Sequence, residues 1–273
     1  MCIFSCPVCA RALTEREHAL RCENGHSFDL ARKGYVNLLR SNQSRSKRHG
    51  DDRAMVEART AFLDAGYYAP LRDAIAAAAV ETDRTAPVVL DAGCGEGYYT
   101  AAVCKALCEA GKEPVVCGVD ISRDALAAAH RRQPSLQLAV ASLASLPLTS
   151  ERCDLILHVF APLETAEFHR VLRPGGRLIR AVPLEDHLWE LKSAVYDVPY
   201  RNKEPETNLP GFKLVQRKDI ITRITLSTQA EIQALFMMTP YYYKTSRADQ
   251  EKLARMESLE TETAFGLLIY ERT

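Results

Sequence analysis

The chain has 273 residues, of which 47% are hydrophobic and 26% charged, and its formal net charge is zero. This composition is ordinary for a globular protein, and the length accommodates one α/β core with a small appended module. The longest purely apolar run of the helical region, residues 74–80, is far shorter than the roughly 20 residues that span a bilayer. We therefore expect no membrane partner.

Nine cysteines occur in a chain whose N-terminus, M-C-I-F-S-C-P, lacks the basic start and long apolar stretch of a secretory signal. Thiols stay reduced in the cytoplasm, where metal ligation or burial is more common than disulfide formation. The sequence therefore predicts a cytoplasmic protein in which some of these cysteines bind a metal.

Two closely spaced pairs of metal-binding residues lie near the N-terminus. Cys6 and Cys9 are spaced C-x2-C, Cys22 and His26 are spaced C-x3-H, and twelve residues separate the pairs. Each pair directs two ligands at one ion, and the four together complete a tetrahedral zinc shell. Such a shell has no open coordination position, so the zinc is predicted to be structural.

We interpret residues 1–40 as a zinc-ribbon domain with Leu13, Leu20 and Phe28 as its small apolar core. Cys2 and His18 are rival ligands, but neither belongs to a closely spaced pair. Residues 41–50 read S-N-Q-S-R-S-K-R-H-G, a polar stretch without periodicity. We interpret them as a basic linker that precedes a catalytic domain at 51–273.

Positive charge is concentrated at this end of the chain. Residues 1–50 contain nine basic and four acidic residues, whereas the remainder contains 26 basic and 31 acidic ones. Residues 32–48 contain six basic residues and no acidic one. A solvated linker and a phosphate-binding surface both fit this run, and the neighbouring metal module favours the phosphate-binding surface.

Residues 52–65 and 70–80 have helical patterning, with a break at 66–68. The stretch that follows, 88–100, reads V-V-L-D-A-G-C-G-E-G-Y-Y-T. It predicts a buried strand ending at Asp91, a turn with three glycines, and a helix over 100–109. Glycine lets the backbone approach a nucleotide-like ligand where a Cβ would clash. The order D-x-G-x-G-x-G resembles motif I of the class I S-adenosylmethionine-dependent methyltransferases, in which this turn wraps the methionine part of the cofactor.

A second buried strand, 115–119, ends at Asp120, and Ser122 is positioned to cap a helix over 123–131. An acidic residue at the carboxyl end of a strand in a doubly wound sheet can accept both ribose hydroxyls, so we assign Asp120 to the ribose, with helix capping as the alternative. A third strand, 136–140, is followed by Ser142, where many methyltransferases have an aspartate. Adenine is expected to be bound by Ser142 or by the backbone.

The remaining landmarks are a strand at 153–157, a helix at 164–172, an R-P-G-G-R turn and a strand at 178–181. Their order predicts an α/β, Rossmann-like class I methyltransferase fold. The fourth strand leads into H-V-F-A-P, not into the Asn/Asp-Pro-Pro-aromatic motif of enzymes that methylate exocyclic base amines. The loop also has no cysteine to serve as the nucleophile of a cytosine-C5 enzyme. Both reactions are therefore disfavoured.

Longer strings resemble one family. C-P-V-C, C-E-N-G-H-S-F-D-L-A-R-K-G-Y-V-N-L-L, A-R-T-A-F-L-D-A-G-Y-Y-A-P-L and D-A-G-C-G-E-G-Y-Y-T look like the bacterial RlmA-type 23S ribosomal RNA guanine-N1 methyltransferases. The resemblance implies methyl transfer from S-adenosylmethionine to N1 of a guanine in a hairpin of domain II of 23S ribosomal RNA. It also implies zinc on the four ligands above. A sister branch, which methylates a neighbouring guanine and confers macrolide resistance, is an alternative.

The resemblance further implies cofactor contacts from Tyr68, Glu96, Gly97 and His187. Tyr68 and His187 rest mainly on the resemblance, although His187 also follows the fifth strand, on the side where substrate and cofactor would meet. With the residues derived above, the predicted cofactor-binding set is Tyr68, Asp91, Gly93, Gly95, Glu96, Gly97, Asp120, Ser142 and His187. A base is needed to remove the N1 proton. The sequence does not select among the candidates Asp51, Asp52, Glu164, Asp186 and His187.

Two other classes of protein share part of this pattern. A small-molecule methyltransferase has the same core but no need of a basic zinc ribbon. A binding module tolerates a degenerate cofactor turn, whereas Asp91, the three glycines and Asp120 are intact here. A homodimer that offers two basic modules to one RNA hairpin is compatible with the sequence.

The acid-free run predicts that this end of the chain binds RNA phosphates. Replacing Arg45, Lys47 and Arg48 together with glutamine should weaken RNA binding and flatten its salt dependence, because each lost phosphate contact lowers the log–log slope by on the order of 0.7–0.9. Binding titrations at several salt concentrations measure that slope. Equal slopes for variant and wild type would identify the run as a passive tether.

Overall fold

The computed structural model describes residues 2–40, 50–242 and 245–273. The predicted phosphate contacts Arg45, Lys47 and Arg48 lie outside the described residues. The strands are β1 Thr14–Arg16, β2 Ala19–Arg21, β3 Ser27–Asp29, β4 Tyr35–Asn37, β5 Val88–Ala92, β6 Val115–Asp120, β7 Gln137–Val140, β8 Cys153–Val159, β9 Leu172–Pro183, β10 Phe212–Leu226 and β11 Leu259–Arg272. The helices are α1 Arg53–Asp64, α2 Ala69–Val80, α3 Tyr98–Glu109, α4 Arg123–Arg132, α5 Thr165–Val171, α6 Trp189–Val195, α7 Gln229–Met237 and α8 Arg247–Ala254.

The first three strands form a small antiparallel sheet in the order β1-β2-β3. Strands β1 and β2 form a hairpin between the two metal-binding pairs, with Thr14 opposite Arg21. Leu13 and Leu20 are buried and Phe28 packs against the same cluster, so the predicted core of the ribbon is confirmed.

A second sheet of eight strands has the order β10-β11-β9-β8-β5-β6-β7-β4. From β9 through β8, β5, β6 and β7 to β4, neighbouring strands pair in parallel. Strand β11 pairs antiparallel with β9, and β10 pairs antiparallel with β11. The alternation of strands and helices predicted for the catalytic core is confirmed, and it gives the doubly wound arrangement whose strand ends bind ligands.

Both faces of this sheet are covered. Val89 of β5 packs into a core with Leu71 of α2 and Val103 of α3. Its neighbour Leu90 belongs to a core on the other face, shared with Phe168 of α5. Successive side chains of a strand point to opposite faces, so a strand buried on both sides becomes a continuous apolar run. None of the described helices is long and apolar enough to cross a bilayer.

Most helices of the core begin and end close to the predicted residues, because capping side chains and turn glycines set their ends. Ser122 caps α4, its hydroxyl accepting the N–H of Ala125 at 3.2 Å. The break between α1 and α2 coincides with Gly66, whose φ is +87°, a left-handed conformation that glycine adopts without a Cβ clash. The predicted turn before the fifth strand differs. Strand β9 already begins at Leu172, because Leu172 pairs with Cys153 and Arg177 with Leu155, so the intervening residues form a bulge inside the strand.

Strand β4 was not predicted as part of the large sheet. Val36 pairs in parallel with Ala139 of β7, which attaches the end of the zinc ribbon to the edge of the catalytic sheet. Leu13 and Leu20 of the ribbon share one core with Leu90 of that sheet. The predicted boundary after residue 40 thus follows a strand that the catalytic sheet already contains, and the division into separate domains stays a prediction.

Candidate active site

A cavity of about 530 Å³ opens at the carboxyl ends of strands β5, β6, β7 and β8. Six of the nine predicted cofactor-binding residues line it: Asp91, Gly93, Gly95, Glu96, Asp120 and Ser142. Residues of α1, residues 159–162 at and beyond the end of β8 and residues 238–240, which follow α7, line further parts of it. The strand order therefore brings together motifs that lie far apart in the sequence.

The glycine turn is bound to the end of β6. The N–H of Gly93 donates to the carbonyl of Val119 at 2.8 Å, and the N–H of Gly95 donates to Oδ2 of Asp120 at 2.9 Å. Both glycines are left-handed, with φ of +86° and +53°. A Cβ on Gly93 would lie 2.5 Å from the Cβ of Ala161, so this position excludes any side chain.

Three buried polar atoms at the cavity have no hydrogen-bond partner among the described residues. They are Oδ1 of Asp91, Oε1 of Glu96 and the hydroxyl of Tyr99. Burial raises the pKa of Asp91 to about 7 and also raises the pKa of Glu96. Buried carboxylates need a positive partner. Glu96 has one in Arg132, whose Nη2 lies 3.6 Å from Oε1, whereas Asp91 has none among the described residues. A cationic group of S-adenosylmethionine would supply it, so the cavity fits this cofactor.

Asp120 presents a carboxylate whose position is fixed by the backbone. Oδ1 accepts the N–H of Ser122 at 2.8 Å, while Oδ2 accepts that of Gly95. Each carboxylate oxygen has a second acceptor site, which leaves capacity for ribose hydroxyls. The alternative role as helix cap is taken by Ser122 itself. Ser142 begins the 3-10 turn Leu143–Ser145 and accepts the N–H of Ala144 at 3.3 Å, so its own O–H is available to a ligand.

Gly97 does not line the cavity. It precedes α3 with a φ of +79°, and a Cβ there would lie 3.0 Å from the Cβ of Ala129 in α4. Its left-handed conformation therefore permits the close approach of two helices, the kind of packing in which only glycine fits.

Tyr68 and His187 also lie outside the lining of the cavity. Both are buried, and their rings pack on Phe265, at 4.9 Å from Tyr68 and 4.5 Å from His187. Nδ1 of His187 accepts the N–H of Ala264 at 3.2 Å, and burial lowers the pKa of His187 to about 3. Their predicted contacts with the cofactor stay predictions.

Three residues lining the cavity were not identified from the sequence. Arg59 of α1 forms an ion pair with Asp51 and lies 3.7 Å from the site of a Gly95 Cβ. Phe160 is 45% exposed in the loop that follows β8. Its position after the fourth strand of the core was a usable signal, because ligands bind at the carboxyl ends of parallel strands. The position of Tyr99 directly after the glycine turn was another. Arg59 precedes the core, and only folding brings it to the turn.

The four predicted zinc ligands form one cluster, with all ligand atoms within 4.8 Å of one another. Sγ of Cys9 lies 3.7 Å from Sγ of Cys22, and Nδ1 of His26 lies 3.6 Å from Sγ of Cys6. A tetrahedral ion with zinc–sulfur bonds of about 2.3 Å and a zinc–nitrogen bond of about 2.0 Å separates such ligand pairs by roughly 3.5–3.8 Å. The cluster therefore fits a structural zinc ion. Cys2 and His18 do not belong to it.

Comparison with known proteins agrees with both sites. Residues 4–47 match the family model described as the N-terminal zinc ribbon of RlmA, and residues 89–176 match the model of a methyltransferase domain.

Two relatives are similar over almost the whole chain. The 23S rRNA (guanine(748)-N(1))-methyltransferase of Streptomyces fradiae is 37% identical over 257 residues, which is 92% of this chain and 88% of the relative. YxjB of Bacillus subtilis (strain 168), provisionally named a 23S rRNA (guanine-N(1)-)-methyltransferase, is 34% identical over 98% of this chain and 96% of its own length. The chain therefore belongs to the RlmA-type family of 23S rRNA (guanine-N1)-methyltransferases.

Proposed function

We propose that the protein transfers the methyl group of S-adenosylmethionine to N1 of a guanine in 23S ribosomal RNA. The observation that carries the proposal is the cavity at the glycine turn, where Asp91, Glu96 and Asp120 present carboxylates to a cationic cofactor. The chain around this cavity is similar to an rRNA guanine-N1 methyltransferase over 92% of its length.

The substrate is proposed to be a hairpin of domain II of that RNA. Guanine 748, the position in the name of the Streptomyces fradiae relative, is the first position to test. The alternatives are a neighbouring guanine and a small-molecule acceptor. The zinc ribbon, fused to the catalytic sheet through β4, supports an RNA substrate because a small acceptor has no need of it.

Bound S-adenosylmethionine supplies an electrophilic methyl group on a sulfonium. The chain's residues bind and orient it: Asp91 and Glu96 attract positive charge, Asp120 holds the ribose, and Ser142 contacts the adenine. The target base must leave its stack to reach an enclosed cavity. Phe160, an exposed aromatic ring on the cavity wall, is placed to stack on the extruded guanine.

The proposal also assigns a role to each segment of the chain. Residues 1–40 form the zinc ribbon, 41–50 the basic linker and 51–273 the catalytic domain. The enzyme is proposed to act in the cytoplasm, where ribosomal RNA is made, and as a homodimer that presents two basic modules to one hairpin. Sedimentation of the free protein and of its RNA complex measures that stoichiometry.

The experiment for the proposed function is tritium transfer from labelled S-adenosylmethionine to deproteinised 23S ribosomal RNA, followed by primer extension. Methylation of N1 blocks Watson–Crick pairing, so reverse transcriptase stops one nucleotide before the modified guanine. A stop in the domain II hairpin supports the proposal. Label that enters only small acceptors would overturn it.

The metal centre predicts one zinc ion per chain. Cys9→Ser and Cys22→Ser should each lose the metal and weaken RNA binding, because no ion then holds the pair Cys6 and Cys9 to the pair Cys22 and His26. Cofactor affinity should be largely retained, since none of the four ligands lines the cavity at the glycine turn. Metal analysis, RNA binding and calorimetry measure the three effects. Freshly purified wild-type protein without zinc would contradict the assignment.

The cofactor cavity predicts the effects of two substitutions. Gly95→Val places a side chain in the cavity, and Asp120→Ala removes an acceptor that also anchors the turn. Loss of such a charge-assisted hydrogen bond costs roughly 1.5–3 kcal/mol, or about ten- to a hundredfold in affinity. Calorimetric titration with S-adenosylmethionine gives the dissociation constants. Gly111→Val is the control for backbone strain. Gly111 is also left-handed, with a φ of +74°, but no atom lies within 4 Å of where its Cβ would be. Unchanged affinity in both site variants would exclude the assigned cavity.

The raised pKa of Asp91 predicts pH-dependent cofactor binding. With a pKa of about 7, this carboxyl is partly protonated near neutral pH in the free enzyme. A cation binds to the ionised form, so cofactor binding should release protons and tighten as the pH rises through about 7. Calorimetry in two buffers of different ionisation enthalpy measures the release. Asp91→Asn should abolish it, and a wild-type enzyme that exchanges no protons at about pH 6.5 would refute this role.

A further inference from the structure

We propose that Glu164 is the catalytic base of the reaction: its carboxylate holds the Watson–Crick edge of the target guanine and accepts the proton of N1. The inference rests on the proposed function, because it concerns an acceptor nitrogen that carries a proton. Five candidate bases were left open by the sequence, and the structure distinguishes among them.

Glu164 lies where the central strands lead into the substrate side of the cavity. Strand β8 ends at Val159, residues 160–163 form a loop, and Glu164 is the N-cap residue of α5. Glu164 lines the cavity together with Phe160 and Pro162 of the same loop. The residue is half-buried, so a proton accepted there can pass to solvent.

Asp51 and Asp120 line the same cavity, but the protein already binds their oxygens. Asp51 forms an ion pair with Arg59. Asp120 accepts backbone N–H groups on both oxygens, from Ser122 at 2.8 Å and from Gly95 at 2.9 Å. An oxygen that holds a fixed hydrogen bond or ion pair is a poorer proton acceptor, because protonation breaks the existing interaction.

Asp91 and Glu96 are buried deeper, on the cofactor side. They are 2% and 3% exposed. Asp91 accepts the hydroxyl of Thr100, and Glu96 lies 3.6 Å from Nη2 of Arg132. Their charge is better suited to holding the cationic cofactor.

The other three candidates do not line the cavity. Asp52 caps α1, and Asp186 forms an ion pair of 2.9 Å with Arg201. Nδ1 of His187 accepts the N–H of Ala264, so this imidazole serves the packing between β11 and the loop before α6. Each of the three has a structural role away from the cavity.

The carboxylate of Glu164, in contrast, has no hydrogen bond or ion pair with any residue in the described parts of the chain. Next to it, Phe160 has a φ of +56°, which is uncommon for a bulky residue, and holds its ring 5.3 Å from that of Phe265. Non-glycine residues in this conformation cluster at functional sites. The loop therefore offers the ring of Phe160 to stack on the face of an extruded base and the carboxylate of Glu164 to bind its edge.

The chemistry of guanine fits this pair. Its Watson–Crick edge presents two adjacent donors, N1–H and the exocyclic amino group, and a carboxylate offers two acceptor oxygens. As the N1–H bond breaks, the proton passes to Glu164, and the N1 electron pair forms the bond to the methyl carbon. The bond between carbon and sulfur breaks with its electrons going to sulfur, which becomes neutral. Glu164 then releases the proton to water.

The test is the pH dependence of methyl transfer to 23S ribosomal RNA by Glu164→Gln under single-turnover conditions. Removal of a general base should lower the rate at neutral pH by roughly a hundred- to ten-thousandfold. The variant should recover with pH, gaining about tenfold per unit, because the fraction of guanine already deprotonated at N1 rises by that factor. The wild-type rate should vary much less over the same range. Glu164→Asp should retain part of the activity.

Controls separate this role from loss of structure. Calorimetric binding of S-adenosylmethionine should be unchanged in Glu164→Gln. Glu109→Gln, the same substitution on the exposed end of α3, should keep the wild-type rate and pH profile. The other charged groups of the cavity are Asp51, Arg59, Asp91, Glu96 and Asp120, and Glu167 and Arg170 of α5 pair with each other. Since these remain in the variant, a profile that changes only on replacing Glu164 belongs to that residue.

A Glu164→Gln enzyme with the wild-type rate and pH profile overturns the inference while leaving the proposed function intact. A uniformly slow variant whose rate does not recover at high pH also overturns it, because it indicates a positioning role only. Failure of the wild-type enzyme to methylate guanine N1 in the RNA is a different result, which refutes the proposed function itself.

Discussion

Two backbone N–H groups of the glycine turn are bound to the end of strand β6, that of Gly93 by the carbonyl of Val119 and that of Gly95 by the carboxylate of Asp120. The turn can approach the strand so closely because Gly118 of β6 has no side chain: a Cβ there would lie 2.6 Å from Sγ of Cys94 in the turn. This contact fixes two halves of the cofactor site against each other before any ligand arrives. Preorganisation of this kind lowers the entropic cost of binding.

The same contact gathers negative charge in a buried place. Asp91, Glu96 and Asp120 all have raised pKa values, with burial as the first cause in each case. Burial raises the pKa of Asp91 to about 7, so its ionised form is disfavoured in the absence of a positive partner. A cationic ligand would favour that ionised form, whereas a neutral one would not.

The zinc ribbon is joined to the catalytic core more closely than a tethered domain would be. Strand β4 extends the catalytic sheet, and the ribbon's Leu20 shares a core with Leu90 of β5. At Gly34, where φ is +80°, a Cβ would overlap the imidazole of His130 in α4. A zinc ion on the four ligands would therefore stabilise a fold that is continuous with the catalytic sheet.

The metal-ligand cluster, the glycine turn and the class of fold could be predicted from the amino-acid order, because each depends on local spacing: two closely spaced ligand pairs, a strand that ends in a turn, and apolar runs that must be buried. The ribose contact of Asp120 stays a prediction. The amino-acid order did not predict the pairing of β4 with β7 or the arrival of Arg59 at the turn, since both are contacts between segments far apart in the chain. Only the folded chain places Gly97 against α4, sets Tyr68 and His187 in an aromatic cluster outside the cavity lining, and brings Glu164 to the cavity with its carboxylate unbound by the described residues. A carboxylate's availability depends on which neighbours hold its oxygens, and those neighbours are brought together only when the sheet is complete.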